Sequence, residues 1–246
     1  MVKQDEFLWV EKYRPQNIED CILPDSIKST FKEFIAAGDM PNLLLSGTAG
    51  TGKTTIAKAL CNELGYTSLV VNGSLDRNID TLRNEIASFA STVSFDGGKK
   101  CIILDEADYL NPQSFQPALR GFIETFSKNV RFILTCNFKD KIIEPIHSRT
   151  TLIDFRTGKK EMPEIMGVLM KRILNILKEE TVKVEDPKIV AEVIKKHYPD
   201  IRRILNEMQR YSAGGVIDIG ILANVGETDV TSLMKYLKDR DFGKMR

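Results

Sequence analysis

The sequence predicts an α/β layer fold, a parallel sheet flanked by helices, followed by a small all-helical domain. Three observations carry that expectation. From Asn42 to Asp154 short apolar runs alternate with longer amphipathic segments. The first four runs are Leu-rich or β-branched with little polar alternation, as in parallel strands covered on both faces. After about Arg156 strand signals stop and only helical periodicity continues.

Strands are expected at Leu43–Ser46, Leu69–Asn72, Cys101–Leu104, Arg131–Thr135 and Thr151–Asp154. Helices are expected between them at Thr54–Leu64, Ile79–Thr92 and Pro112–Phe126, the last opened by Asn111 and Pro112 as N-cap and first-turn pair. Thr157-Gly158-Lys159-Lys160 reads as a linker. Beyond it Glu161–Lys178, Pro187–His197, Ile201–Tyr211, Val216–Val225 and Val230–Lys238 all read as helices. No internal repeat or low-complexity tract interrupts this order.

The 246-residue chain is 42% hydrophobic and 28% charged with a formal net charge of +1, so it can bury a substantial core. Up to residue 150 it carries 17 Lys+Arg against 19 Asp+Glu, and beyond it 18 against 15. Neither part attracts nucleic acid by bulk charge, so any such contact must come from a local arrangement. Met1-Val2-Lys3-Gln4-Asp5-Glu6 has no apolar signal core, and no apolar run is long enough to cross a bilayer. Cys21, Cys61, Cys101 and Cys136 stand far apart without a C-x-x-C pair, which excludes a sequence-local zinc knuckle and fits buried, reduced thiols. The expectation is a soluble, cytoplasmic protein.

Directly after the first strand comes Gly47-Thr48-Ala49-Gly50-Thr51-Gly52-Lys53-Thr54, then a helix. This satisfies G-x-x-x-x-G-K-S/T in its strand–loop–helix context. The glycines let successive backbone N–H groups turn inward around phosphate oxygens, and the helix N-terminus adds a favourable dipole. Lys53 would reach the β- and γ-phosphates, and the Thr54 hydroxyl would ligate Mg²⁺. A Gly-rich turn without a ligand is the bland alternative, and the context argues against it.

Cys101-Ile102-Ile103-Leu104-Asp105-Glu106 reads as a buried strand ending in two acids. Asp105 lies where a carboxylate can hold a magnesium water, and Glu106 can polarise an attacking water as general base. A small-molecule kinase does not need the second acid, so the pair favours hydrolysis. Asp105-Glu106-Ala107-Asp108 also spells a helicase-type motif. That reading requires a second α/β domain, and only about ninety residues remain, all reading as helical. Asn137, at the tip of the next strand, is either a contact to the γ-phosphate or attacking water or an ordinary turn residue. By spacing alone Arg149 is either a surface arginine or one supplied to a neighbour's phosphate.

Together these residues resemble the AAA+ ATPases, and specifically the clamp-loader branch of the replication factor C type. Val10-Glu11-Lys12-Tyr13-Arg14-Pro15 is similar to the E-K-Y-R-P box that opens those subunits. Ser148-Arg149-Thr150 resembles their S-R-C arginine-finger motif, with Thr in place of Cys. Pro199-Asp200-Ile201-Arg202-Arg203, followed by Asn206, resembles the G-D-x-R sensor segment, with Pro in place of Gly. Within the branch, Cys21–Pro24, Val71–Ser74, Ser94–Gly97 and Pro199–Arg202 resemble the large ATPase subunits of T-even bacteriophage loaders.

The resemblance implies a role for each matching residue. Val10, Glu11, Lys12, Tyr13 and Ile22 would line the adenine pocket of bound ATP. Gly47, Gly50, Thr51, Gly52, Lys53, Thr54 and Thr55 would hold its phosphates. Thr54 and Asp105 would support Mg²⁺, Glu106 would activate water, and Asn137 would be sensor 1. Arg202 would reach the γ-phosphate of its own subunit, while Arg149 would act in trans on ATP bound next door. Arg120 lies in Gln116-Pro117-Ala118-Leu119-Arg120, similar to the Q-x-A-L-R helix that couples DNA contact to the acid strand. Arg77, Arg83 and Lys99 or Lys100 match positions that track DNA phosphates, with solvated surface charge as the alternative reading. The implied division is a nucleotide-binding domain at 1–156, a lid at 157–228 and, at 229–246, the start of a helical collar or a C-terminal helix.

The implied activity is that of a clamp-loader ATPase: ATP binding opens a sliding clamp, and DNA-triggered hydrolysis releases it on primer–template DNA. The implied partners are the clamp, that DNA, a small loader subunit and further copies of this chain, four with one small subunit, and no membrane. The implied compartment is the cytoplasm, that of a bacterial host if the chain is phage-encoded. Clamp contact is expected from the Asn72–Ser94 region. Two other readings stand beside this one: a nucleotide-binding scaffold subunit without turnover, and another AAA+ replication protein such as a helicase loader. Lys53, Glu106, Arg149 and Arg202 together argue against the scaffold, and the E-K-Y-R-P and S-R-x pair against the helicase loader.

Overall fold

The computed structural model describes residues 7–75, 79–92, 98–158 and 160–217. The helices expected over 218–225 and 230–238, the segment 229–246 and Arg77 lie outside these residues. The chain divides into two units, one of residues 1–165 with 199–202, the other of residues 166–198 with 203–246.

In the first unit a short helix α1 (Trp9–Lys12) and a longer α2 (Asp25–Ala37) precede strand β1 (Leu43–Ser46). Then follow α3 (Lys53–Glu63), β2 (Thr67–Asn72), α4 (Ile79–Ser91), β3 (Lys100–Asp105), α5 (Phe115–Thr125), β4 (Val130–Cys136), α6 (Glu144–His147) and β5 (Thr151–Asp154). The five strands form one parallel sheet in the order β2-β3-β4-β1-β5. Each expected strand is present, within two residues at either end. From β1 the chain crosses to the edge strand β2 and returns through β3 and β4, then places β5 on the far side of β1. The winding reverses at β1, and in open α/β sheets ligands bind beyond the strand C-termini at such a point.

Strand side chains alternate between faces with period two, and here both faces are buried. Leu43, Leu45, Ile103 and Ile133 pack with Phe31 of α2 and Ile56 and Leu60 of α3. Leu44, Ile102, Leu104, Phe132 and Leu134 pack on the other side with Ile86 of α4, Phe115 and Leu119 of α5, and Ile146 of α6. This double covering explains the uninterrupted apolar runs. All four cysteines are buried, and none is in a disulfide. Burial raises the Cys101 thiol pKa well above its ordinary value and pushes that of Cys136 up to about 11.

One helix start differs from expectation. Helix α5 begins at Phe115, not Pro112. The Asn111 carboxamide oxygen accepts the N–H groups of Gln113 at 2.8 Å and Ser114 at 3.1 Å. Asn111 therefore caps a turn over residues 112–114, a local bond that competes with helix formation.

The second unit takes in most of α7 (Met162–Glu179), then strand β6 (Lys183–Val184), α8 (Pro187–His197), α9 (Ile201–Ser212) from Arg203 onward, and strand β7 (Val216–Ile217). Buried Leu169, Ile173, Ile176 and Leu177 recur at helical spacing along α7, as do Ile189, Val190, Val193 and Ile194 along α8. Asp186 caps α8 by accepting the Lys188 N–H at 2.9 Å, with Pro187 in the first turn. The expectation of helices alone is corrected at Val216 and Ile217, which pair in parallel with Lys183 and Val184. Two-residue strands carry no readable period, so the sequence gives no sign of them. Among the described residues no helix is long and apolar enough to cross a membrane.

Asp39 ties together the N-terminal ends of four strands. Its carboxylate accepts Tyr66 Oη (2.6 Å) just before β2, Lys99 Nζ (2.5 Å) just before β3, and Arg131 Nε (3.1 Å) and Nη2 (2.8 Å) at the start of β4. Asp39 itself leads into β1. Partial burial alone would raise the carboxyl pKa, but the bonds from Arg131, Lys99 and Tyr66 outweigh it and hold the group well below the usual carboxylate range. A depressed carboxylate pKa stabilises the fold fully above the unfolded value of about 3.9, and the contribution is lost as pH falls below it. Asp39→Asn is therefore expected to lower the urea midpoint at pH 7, with the gap from the parent narrowing as pH falls below about 4. A gap independent of pH would remove the ionised Asp39 from this role.

Candidate functional site

A cavity of about 410 Å³ opens beyond the C-terminal ends of β1, β3 and β4. The Gly47–Lys53 loop forms its floor. Gly50 and Gly52 adopt φ of +76° and +85°, which side-chain-bearing residues rarely take. A Cβ on Gly50 would lie 1.8 Å from Asp200 Oδ1, and the Gly50 carbonyl accepts the Ile201 N–H at 3.1 Å. Helix α3 starts at Lys53, so its free N–H groups and dipole point into this space.

Lys53 is only 8% exposed, and its ammonium donates to the carbonyls of Gly47 (2.8 Å) and Thr48 (2.8 Å) and to Asn137 Oδ1 (3.0 Å). Burial draws its pKa below the usual lysine value, and the neighbouring Asp105 and Asp108 carboxylates pull the other way. Thr54 Oγ1 donates to Asp105 Oδ1 at 2.5 Å, which joins the start of α3 to the end of β3. Glu106 follows with φ 54° and ψ 45°, a left-handed conformation that breaks the strand and leads into a short 3₁₀ turn at Ala107–Tyr109. Asn137 sits one residue past β4, and its N–H donates to Asp108 Oδ2 at 3.3 Å.

Lys53, Thr54, Thr55, Asp105, Glu106, Asn137 and Arg202 thus line one cavity, together with Gly50 and Gly52. Gly47 and Thr51 are buried in the loop beneath it. Basic Arg14, Lys53, Lys58 and Arg202 and acidic Asp105 and Glu106 all line it, a mixture that suits a polyanion accompanied by a cation. Val10, Glu11, Lys12, Tyr13 and Ile22 are not among the lining residues, although their neighbour Arg14 is.

Arg149 also stands apart from this cavity. Its Nε donates to Glu124 Oε1 at 2.7 Å, its Nη2 pairs with the same carboxylate, and its Nη1 donates to the Pro145 carbonyl at 2.8 Å. Arg120 is exposed on α5, while Gln116 of the same helix is buried and bonds the carbonyls of Leu110 and Lys141 and the N–H of Ile143. The expectation that Lys100 tracks DNA is corrected: it is 5% exposed and donates internally to the Phe89 and Thr92 carbonyls. Lys99 is paired with Asp39, and Arg83 Nη2 donates to the Ser114 carbonyl at 3.2 Å.

Asp108 and Thr135 are among the residues of the site that the sequence reading did not assign. Asp108, buried, orients the backbone of Asn137 and Phe138. Thr135 bonds both acids, donating to Asp105 Oδ1 at 2.6 Å and accepting the Glu106 N–H at 3.1 Å. The available signal was a lone hydroxyl near the end of an otherwise apolar run, Phe132-Ile133-Leu134-Thr135-Cys136.

A five-stranded parallel sheet, a phosphate loop opening a helix, and two acids ending the strand beyond its neighbour define an ATPase of the AAA+ class. The AAA family model (ATPase family associated with various cellular activities) matches residues 43–157. The lid-domain model of the sliding-clamp-loader large subunit, an AAA+ ATPase, matches residues 160–223. The sliding-clamp-loader large subunits of Escherichia phage RB69 and Enterobacteria phage T4 are each 39% identical to this chain, over 100% of it and 78% of their own length. The replication factor C small subunit of Saccharolobus solfataricus is 40% identical over 88% of this chain and 65% of its own. A solved structure of a Thermotoga maritima RuvB mutant shares the fold, with a TM-score of 0.67 at 20% identity over 86% of this chain and 72% of that one. The chain belongs to the sliding-clamp-loader large-subunit family.

The loop geometry gives a direct test. Gly50→Ala would force a side chain into the left-handed region, at about 1–2 kcal/mol, and against Asp200. Affinity for a fluorescent ATP analogue is expected to fall about tenfold or more. Unchanged affinity would mean that the loop accepts a side chain where the geometry leaves no room.

Proposed function

We propose that the chain binds ATP with Mg²⁺ in this cavity and hydrolyses it as a motor subunit of a sliding-clamp loader. The observation that carries the reading is one cavity that gathers the phosphate-loop, acid and sensor groups, with an arginine outside it. Lys53, Thr54, Asp105, Glu106 and Asn137 converge, whereas Arg149 is held elsewhere by Glu124.

In this reading Lys53 exchanges its carbonyl partners for the β- and γ-phosphate oxygens, and the N–H groups of Gly50–Thr55 hold the remaining phosphate charge. Thr54 Oγ1 and Asp105 Oδ2, the oxygen that neither threonine hydroxyl engages, would hold the metal and its water. When bound, Mg²⁺ offsets the charge that develops on the β- and γ-oxygens. Glu106 accepts a proton from the water that attacks the γ-phosphorus, the β–γ bridging P–O bond breaks, and ADP and phosphate leave. Asn137 orients that water or the γ-phosphate, and Arg202 holds the γ-phosphate of its own chain. Val10–Tyr13 and Ile22 take the adenine. Arg149 completes the site of an adjacent copy.

The lid is assigned to 157–228 and the nucleotide domain to 1–156. Assembly as four copies with one small subunit would let ATP binding favour the clamp-gripping arrangement, and hydrolysis on primer–template DNA would remove that preference. The compartment in this reading is the cytoplasm, that of a bacterial host if the chain is phage-encoded.

Glu106→Gln is expected to bind ATP normally and to abolish turnover stimulated by clamp and primer–template DNA. Arg149→Ala is expected to lower the same turnover by about 10³-fold or more. Mixing the two variants restores part of the activity, because a Glu106→Gln copy still lends Arg149 to an intact Glu106 next door. If the mixture stays as inactive as its components, action in trans is wrong. Full turnover by Glu106→Gln would remove Glu106 as the base.

A further inference from the structure

Thr135 is a group to which both acids are bonded. It is 1% exposed near the end of β4, and its hydroxyl meets Asp105 Oδ1 at 2.6 Å and the Glu106 N–H at 3.1 Å. A hydroxyl has one hydrogen and two lone pairs. The hydrogen is committed to Asp105 and a lone pair to Glu106, so the orientation of the group is fixed. We infer that Thr135 is a positioning residue for hydrolysis, setting the backbone of Glu106 and the carboxylate of Asp105 through its hydroxyl. The inference rests on the role proposed above for Glu106.

Two constraints meet there. Glu106 is one of two non-glycine residues with positive φ among those described. Such a backbone persists only where its surroundings over-determine it. Its carbonyl accepts the Tyr109 N–H at 3.0 Å, and its N–H is held by Thr135. Without the hydroxyl one of these two anchors is lost, and residue 106 can relax toward an ordinary conformation that re-aims its side chain. The second constraint concerns Asp105. Oδ1 accepts from both Thr54 and Thr135. If the Thr54 oxygen were to ligate a metal, Thr135 would be the hydroxyl that still fixes the carboxylate. The run from N–H through hydroxyl to carboxylate also polarises along its length, which strengthens both bonds.

Packing alone does not require a threonine. Valine has the same branched shape and suits a buried strand position equally well, so the hydroxyl is what distinguishes the residue.

The test compares Thr135→Val, Thr135→Ser and Glu106→Gln in the full chain assembled with its loader partners, with clamp and primer–template DNA present. The readouts are kcat, KM for ATP, Kd for a fluorescent ATP analogue, and Tm. Thr135→Val is expected to lose about tenfold or more in kcat, with KM, Kd and Tm near the parental values, and Thr135→Ser to keep most of the parental kcat. If Thr135→Val melts early, Thr135→Ala removes the hydroxyl without pressing a second methyl against Asp105, and the same kcat loss is expected. Parental kcat without the hydroxyl would overturn the inference. So would equal losses in the Ser and Val variants, or a loss confined to Kd. An inactive Glu106→Gln beside a fully active Thr135→Val sinks only the Thr135 assignment, whereas an active Glu106→Gln sinks the hydrolytic reading beneath it.

Discussion

Asp105 Oδ1 accepts hydroxyl hydrogens from Thr54, which opens α3, and from Thr135, which nearly closes β4. Three elements therefore meet at one oxygen: the helix that follows the phosphate loop, the acid-bearing strand and the strand that leads to Asn137. Because the strands are parallel, their C-terminal ends fall on one side of the sheet, and Leu104 pairs with Leu134 so that the next residues, Asp105 and Thr135, come level. A shift of one residue in that register would turn Thr135 to the opposite face. The positions of Thr54, Asp105 and Thr135 on this side follow from the register and from that shared oxygen.

The opposite end of the sheet uses the same device with different chemistry. There Asp39 gathers a phenol, an ammonium and a guanidinium from the leads into β2, β3 and β4. Asn42 adds a bond from the Phe132 N–H at 2.9 Å and accepts the Thr151 N–H on its own carbonyl at 2.7 Å, drawing in β5. One end is fixed by charge pairs that need only hold. At the other the groups are hydroxyls, a buried ammonium and acids, all able to exchange partners when a polyanion enters. Lys53 illustrates the difference, since its three donors rest on two carbonyls and a carboxamide that bind it less strongly than phosphate oxygens would.

Arg149 belongs to neither group. Its guanidinium is shared between Glu124 on α5 and the Pro145 carbonyl beside it, and its side chain remains about a third exposed at 32%. A partly exposed ion pair of this kind contributes little to stability, about 0–1 kcal/mol. Releasing the arginine from this pair therefore costs little.

The sequence by itself determined the layer class, the five strands to within two residues, and the phosphate loop with its helix, because each is written in adjacent residues. Periodicity, β-branching and the G-x-x-x-x-G-K-T spacing are local signals, and local backbone preference realises them. It also marked Asp105, Glu106 and Asn137, since a polar residue at the end of an apolar strand has a position that a linear reading can see. It misplaced the start of α5, where a single Asn111 side chain diverted the chain into a turn, and it gave no warning of the two-residue strands β6 and β7. Only the tertiary structure decided that Thr135 joins the acids, that Lys100 is an interior group, that Asp39 gathers four strand ends, and that Arg149 stands outside the cavity of its own chain. Each of those outcomes is a contact between residues far apart in sequence, set by strand order and register, and no local pattern encodes which distant hydroxyl or carboxylate a side chain will meet.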